Sequence, residues 1–236
     1  LSNNTRQAAK ESFDTGKNMS KKHHGVERDQ DQVWISKEQK FKGILAQVTA
    51  FDPDKTRVVV VAHFPSTFRH LESLLQSNSL VYETYPTPLD AQRLATVIEY
   101  EAPFKVMLVM ANALPVEVRD KNAMFASALE INFVIAEHYP LPAQDDIVIN
   151  FANKLPYNCK LTFHEAVDSA LMQPYGGDNM QKMMYRLKLP ENQPISITLI
   201  DKTIRRAQEK LAKRVTHHLM ADSAEQWFQQ NIEEDE

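Results

Sequence analysis

Glycine is scarce in this chain of 236 residues: it has five, Gly16, Gly25, Gly43, Gly176 and Gly177, so the stretch from Ile44 to Tyr175 has none. Loops that cradle phosphates need glycine, because only a residue without a Cβ lets the backbone approach an anion closely and take up left-handed dihedrals. Walker A and dinucleotide-binding fingerprints are therefore excluded from that stretch. Arginine is missing between Arg119 and Arg186, where a domain that stabilises a transferring phosphoryl group usually supplies one. Cys159 is the single cysteine, which rules out an intramolecular disulfide and a cysteine-rich zinc site. No apolar run is long enough to span a bilayer, so direct membrane insertion is not expected. The formal charge of −4 offers no general attraction to nucleic acid. The polar opening from Leu1 to Gly16 lacks a signal-peptide apolar region. The missing initiator Met suggests a trimmed or internal start, and the cytoplasm is the simplest location. These absences predict a protein without catalytic, metal or cofactor chemistry.

Three regions stand out. Residues 1–25 are rich in Asn, Ser, Lys, Gln and His and cannot bury enough apolar surface to offset the entropy of ordering. They read as a flexible tail, in which Lys21-Lys22-His23-His24 is a solvated run. Residues 26–175 alternate apolar runs with helical patterns. Glu38 to Ala50 has Phe41, Ile44, Leu45 and Val48 on one face of a helix. Arg57 to Ala62 is a β-branched run of the kind buried on both faces of a parallel sheet. A helix starts at Pro65-Ser66, with Phe68, Leu71, Leu74 and Leu75 at helical spacing. Ser79–Tyr85, Phe104–Met110, Ile131–Ala136 and Cys159–Phe163 read as further strands. Helices are expected from Thr87-Pro88, at about 119–130 and at about 142–154. Strands separated by helices give an α/β fold with a mostly parallel sheet, helices on both faces and right-handed crossovers.

Residues 176–236 read as a C-terminal helical extension. Met180, Met183, Met184 and Leu187 form one stripe, expected to face the core. Ile200, Ile204, Ala207, Leu211 and Val215 form another. Lys202, Arg205, Arg206, Lys210, Lys213 and Arg214 lie largely off that second stripe as a solvated basic face. Trp227 and Phe228 precede an acidic end, Glu233 to Glu236. Leu211, Val215, Trp227 and Phe228 are the candidate partner-binding residues, on the expectation that the later turns of the long helix and the two aromatics project beyond the domain.

Candidate chemistry is thin. His63, His70, His138 and His164 show no metal-ligand spacing. Glu137-His138 and His164-Glu165 fall near strand ends, where α/β sites are found, but read as surface or capping residues. So does Asp145-Asp146, whose neighbouring side chains on a helix face different ways. Cys159 and His164, five residues apart on one strand, would point to opposite faces and do not make a thiol–imidazole pair. No Gly-x-Ser-x-Gly elbow is present.

The segment Val26-Glu27-Arg28-Asp29-Gln30-Asp31-Gln32-Val33-Trp34, with Lys37-Glu38-Gln39-Lys40-Phe41, resembles the entry to the second RecA-like domain of SecA, the preprotein translocase motor. Val58–Val61 and the helix after Ser66 look like that domain's first strand and helix. Phe163 to Met172, Tyr175-Gly176-Gly177-Asp178, Pro194-Ile195 and Ile204-Arg205-Arg206-Ala207-Gln208-Glu209-Lys210 follow in the family's order, over roughly residues 25–215. Two departures matter. Where the family carries a Thr-Asn-Met-Ala-Gly-Arg-Gly-Thr-Asp segment, this chain reads Met110 to Glu117. Where the family has its Arg- and Gly-rich helicase segment, this chain reads Ala143 to Lys154. The resemblance implies a degenerate RecA-like fold and a secretion-related setting, with no catalytic residue to carry over. The functional expectation is a non-catalytic adaptor or scaffold with protein partners. The alternatives are a regulatory decoy for an ATPase motor, and a cryptic enzyme or nucleic-acid binder.

Overall fold

Seven short, mostly β-branched and aliphatic runs pair side by side in a computed structural model that describes residues 25–52, 56–88, 106–115 and 130–232. In chain order the elements are β1 (Val26–Arg28), β2 (Gln32–Trp34), α1 (Lys37–Ala50), β3 (Thr56–Ala62), α2 (Pro65–Ser77), β4 (Tyr82–Tyr85), β5 (Val106–Met110), β6 (Glu130–Ile135), α3 (Pro142–Lys154), β7 (Asn158–Ala166), α4 (Gly177–Arg186), α5 (Thr198–Arg214) and α6 (Ala224–Asn231). The sheet order is β1-β7-β6-β3-β5-β4, with β2 also on β7, and every pairing between these strands is parallel. The expected α/β class holds. β1 and β2 lie end to end along β7, Val26 opposite Cys159 and Trp34 opposite Ala166.

Central strands of a parallel sheet are covered on both faces, so they carry continuous apolar runs. Val58 to Ala62, Val106 to Met110 and Ile131 to Ile135 are accordingly buried, with Asn132 as a polar interruption. α1 begins on Ser36, whose hydroxyl accepts from the Gln39 amide at 3.3 Å, the N-cap contact that satisfies an otherwise orphaned donor. Its Ile44 and Val48 are buried, with Phe41 packed at the edge of the same core. Gly43 sits where α1 crosses Trp34: a Cβ there would lie 2.0 Å from the indole ring. α2 buries Phe68, Leu71 and Leu75.

A second core joins Val33 and Ile35 to Val167, Leu171 and Met172, closed by Met184 from α4 and Ile200, Ile204 and Leu211 from α5. The first turns of the long-helix stripe pack inward as expected; Leu211, expected to project, is buried too, and Val215 is half-exposed at the end. The methionine stripe is only half correct. Met184 is buried and Met180 packs at the edge, whereas Met183 and Leu187 are 51% and 61% exposed. α4 meets the core along a narrower line than its apolar residues span.

The C-terminal segment does not project. It folds back over the carboxyl ends of the strands, and Trp227, wholly buried, packs with Phe64 and Tyr139. Its ring lies edge-on to Tyr139 at 5.9 Å. The Ser66 amide donates to the Asp222 carbonyl at 2.9 Å, and Arg69 pairs with Asp222 at 2.6 Å. Leu211 and Trp227 are therefore interior residues, and Val215 and Phe228 are partly covered by the same cluster. Apolar area drives this return, since an exposed indole next to an open groove gains by filling it. The tail, the helix expected after Pro88 and the body of the helix expected at 119–130 lie outside the described residues; Glu130 itself begins β6.

Candidate functional site

The sheet order locates the natural crevice. β3 and β6 are neighbours, yet the chain leaves β3 towards the β5–β4 side and leaves β6 towards β7. Ligands of open α/β sheets bind outside the carboxyl ends of strands at such a switch point. Here His63 and Phe64 follow β3, while Glu137, His138 and Tyr139 follow β6. His164 and Glu165 come from the end of β7, Asp31 from just before β2, and Asp145 from the first turn of α3.

Far from being surface residues, Glu137, His138, Asp145, His164, Glu165, Asp31 and His63 are all at least nine-tenths buried. The capping role read for Glu137 is real. Its Oε1 accepts from the amides of His63 and Phe64, both at 3.1 Å, and its Oε2 accepts from the Thr67 hydroxyl at 2.6 Å. A carboxylate of the chain itself thus sits at the start of α2, where a helix N-terminus favours negative charge. Glu165 does similar work, accepting from the amides of His138 at 3.3 Å and Ala166 at 2.8 Å.

His138 lies at the centre. Its Nδ1 is 2.7 Å from Asp145 Oδ2 and its Nε2 is 3.0 Å from Asp31 Oδ2. The ring stacks on Phe163 at 4.5 Å. Both nitrogens face carboxylates, so both donate, which is the imidazolium form. Burial on its own disfavours that charge, but Asp145 and Asp31 outweigh it and raise His138 to about 10. Burial likewise pushes the two acids up, and their cationic partners more than reverse it. His138 and Arg28 hold Asp31 below its ordinary value, and His138 with His63 holds Asp145 well below the carboxylate range.

Most of the remaining polar atoms around Asp145 are also occupied. The Tyr139 amide donates to Asp145 Oδ1 at 2.9 Å. Gln208 of α5 donates to Asp145 Oδ2 and to the Tyr139 carbonyl, each at 2.7 Å. His63 Nε2 is 3.1 Å from Asp145 Oδ1 but makes no hydrogen bond. Asp146, next in sequence, faces outward and pairs with Arg205 at 3.6 Å. The two neighbours do point different ways.

His164 is the opposite case. The Trp34 indole N–H donates to its Nδ1 at 3.1 Å. Because indole nitrogen only donates, Nδ1 must be unprotonated, and Nε2–H then donates to Gln47 Oε1 at 2.7 Å. Burial, assisted by the charge on Lys40, pushes His164 down to about 3. Cys159, buried at the far end of β7, has its thiol pushed up to about 12 by burial. Neither is poised as nucleophile or base.

A general base must offer a free lone pair to a substrate proton. His138 has none, His164 accepts from an indole, and Glu137 and Glu165 are engaged by backbone amides; His63 Nε2 makes no hydrogen bond and lies against Asp145. The arrangement is suited to holding the loops after β1, β3 and β6 against β7, α3 and α5. Among the described residues no group of three or more His, Cys, Asp or Glu side chains has the placement to hold a metal ion. No described helix is long and apolar enough to cross a membrane. Sequence reasoning located the strand-end pairs but missed Asp31, His63 and Gln208 as members. The available signal was a run of acids and histidines placed directly after apolar strands.

No family model matches the chain. A stretch of 52 residues, 22% of the chain, is 36% identical to the protein translocase subunit SecA of Janthinobacterium sp. (strain Marseille) and equally to that of Herminiimonas arsenicoxydans. The stretch spans 6% of the length of those relatives. The C-terminal part of the Fun30 ATPase domain aligns over 74% of this chain and 54% of its own length, at 13% identity and a TM-score of 0.43, a likeness too loose to argue from.

Proposed function

We propose that this chain is a non-catalytic adaptor or scaffold, built on a degenerate SecA-like motor domain of RecA type and serving a bacterial protein-secretion or coupling complex through protein partners. The observation that carries this reading is that the chain's own side chains take the positions a phosphate chain would need. At the β3–β6 switch point the chain's own Glu137 takes the amides at the head of α2, and the Asp31–His138–Asp145 triad uses every nitrogen of the central imidazole. The absence of glycine from Ile44 to Tyr175 supports it, because no loop there can wrap a phosphate chain closely. The local identity to SecA supports the secretion setting.

Of the four residues expected to meet a partner, Leu211 and Trp227 are buried, and Val215 and Phe228 are half-exposed. Exposed apolar side chains remain on α4 and at the start of α5: Met183, Tyr185, Leu187, Ile197 and Leu199, each more than half exposed. Tagged protein purified from native cells, with cross-linking, should bring down components of a translocation or coupling machine, and Leu187→Glu with Leu199→Glu should reduce that recovery. Migration as a lone monomer in fresh extract would count against the reading. A regulatory decoy for an ATPase motor is the second reading, favoured by the same SecA stretch. Addition of the chain would then change the turnover rate of the purified motor, and a pure scaffold would leave it unchanged.

A further inference from the structure

A cavity of about 180 Å³, open to solvent on one side, lies beside the triad and is bordered by Ala224 and Glu225 at the start of α6. Its walls include Lys37, Lys40, Ser66, His70, Ser169 and Glu225. Most of the ionisable groups around it are engaged. Lys37 is ion-paired with Glu225. Glu137 and Glu165 are held by backbone amides, and His138 by its two aspartates. His70 stacks on Phe41 at the exposed rim, ring centres 4.1 Å apart.

Lys40 is different. It is 4% exposed, lines the cavity, and has no carboxylate or hydrogen-bond acceptor among the described residues. Its Nζ lies 5.0 Å from the ring centre of Phe41. Its Nζ still touches solvent, but an ammonium so largely covered gains from compensating hydrogen bonds and charge, and an aromatic face supplies only part of that. Ser66, also on the wall, makes a backbone bond to Asp222 but none through its hydroxyl. The cavity therefore presents a buried cation and a free hydroxyl in a volume well under the roughly 300–1,000 Å³ of sites for drug-sized ligands.

We propose that this cavity binds a small oxyanion, a phosphate or a short carboxylate, with Lys40 as its anchor and Ser66 as a hydrogen-bond donor. The site borders the start of α2, where Ser66 lies and which Glu137 already caps. A nucleotide is too large for it. The inference does not depend on the adaptor reading, and either can fail alone.

Thermal unfolding at pH 7 and constant ionic strength, with chloride as the balancing salt, tests it in two arms, inorganic phosphate and acetate. A ligand that binds only the folded state raises its stability with its concentration. A saturable rise in Tm of several degrees is expected in at least one arm, and the arm that responds identifies a tetrahedral or a planar anion. Lys40→Met, which keeps the length of the side chain and removes the charge, should abolish the rise. An equal rise in Lys40→Met would mean a general salt effect, and it would overturn the proposal. So would the absence of a saturable rise in both arms. Should Lys40→Met fail to fold, Ser66→Ala takes its place: it should weaken the saturation midpoint several-fold, and an unchanged midpoint would overturn the assignment.

Discussion

Replacing His138 by leucine is the sharpest perturbation of the buried network. The change removes the cation between Asp31 and Asp145 and leaves both carboxylates in a site that excludes water. Two routes give the magnitude. The imidazole is raised from 6.5 to about 10, and at about 1.4 kcal/mol per pH unit this is on the order of 5 kcal/mol. Removing one partner of a buried ion pair costs about 3–5 kcal/mol in general. The pH dependence follows from the directions. His138 is raised, so its contribution is complete below pH 6.5 and is lost as the pH climbs through about 10. Asp31 and Asp145 are lowered from 3.8, so their contribution is complete above that value and is lost as the pH falls further. The triad should stabilise most between about pH 4 and 6.5. Urea unfolding of the wild type should show stability declining from pH 6.5 to 9.5, while His138→Leu should be several kcal/mol weaker at pH 6 and nearly flat over that range. The neutral variant Asp31→Asn, His138→Gln, Asp145→Asn should recover part of the loss, because uncharged amides are cheaper to bury. A His138→Leu protein within about 1 kcal/mol of wild type at pH 6, or one with the same pH slope, would refute the buried imidazolium.

Two further outcomes follow from packing. Trp227→Ala empties the groove between Phe64 and Tyr139 and should cost about 3–5 kcal/mol, a fall in Tm on the order of 10 °C for a chain of this size; truncation after Ala221 should do the same, and an unchanged Tm in either would show that the C-terminal segment is not docked. Gly43→Val should destabilise the contact of α1 with β2, because even a Cβ meets the Trp34 ring, and a quench or shift of Trp34 fluorescence in Gly43→Ala reports the same contact at lower cost; an unaltered spectrum and Tm in both would refute the close approach.

Much of the fold is legible in the sequence because local pattern and burial agree there. The run Val58–Val61 leaves no polar face, so a strand covered on both sides is the simplest solution, and the structure buries it. Ile200, Ile204, Ala207 and Leu211 recur at a strict helical period and are buried together. The methionine stripe shows the limit. Met180, Met183, Met184 and Leu187 satisfy the period equally, and only the docking angle of α4 selects Met184. Trp227 shows another: its groove is made by Phe64 and Tyr139, residues more than eighty positions away, and no local signal announces it. The triad was hidden for a related reason. Asp31, His138 and Asp145 come from separate segments, and acids beside turns normally read as solvated. Lys40 was equally obscured, since a lysine one position from Phe41 on an amphipathic helix is ordinarily at the surface.

The central claim is that the carboxyl edge of this sheet is a structural element and not a nucleotide site. The most direct measurement combines titration calorimetry of the protein with ATP and magnesium and a phosphate-release assay on the same sample. The account predicts no saturable heat and no turnover above a protein-free control. Saturable binding accompanied by turnover that disappears in Asp145→Asn, with the variant still folded, would contradict it.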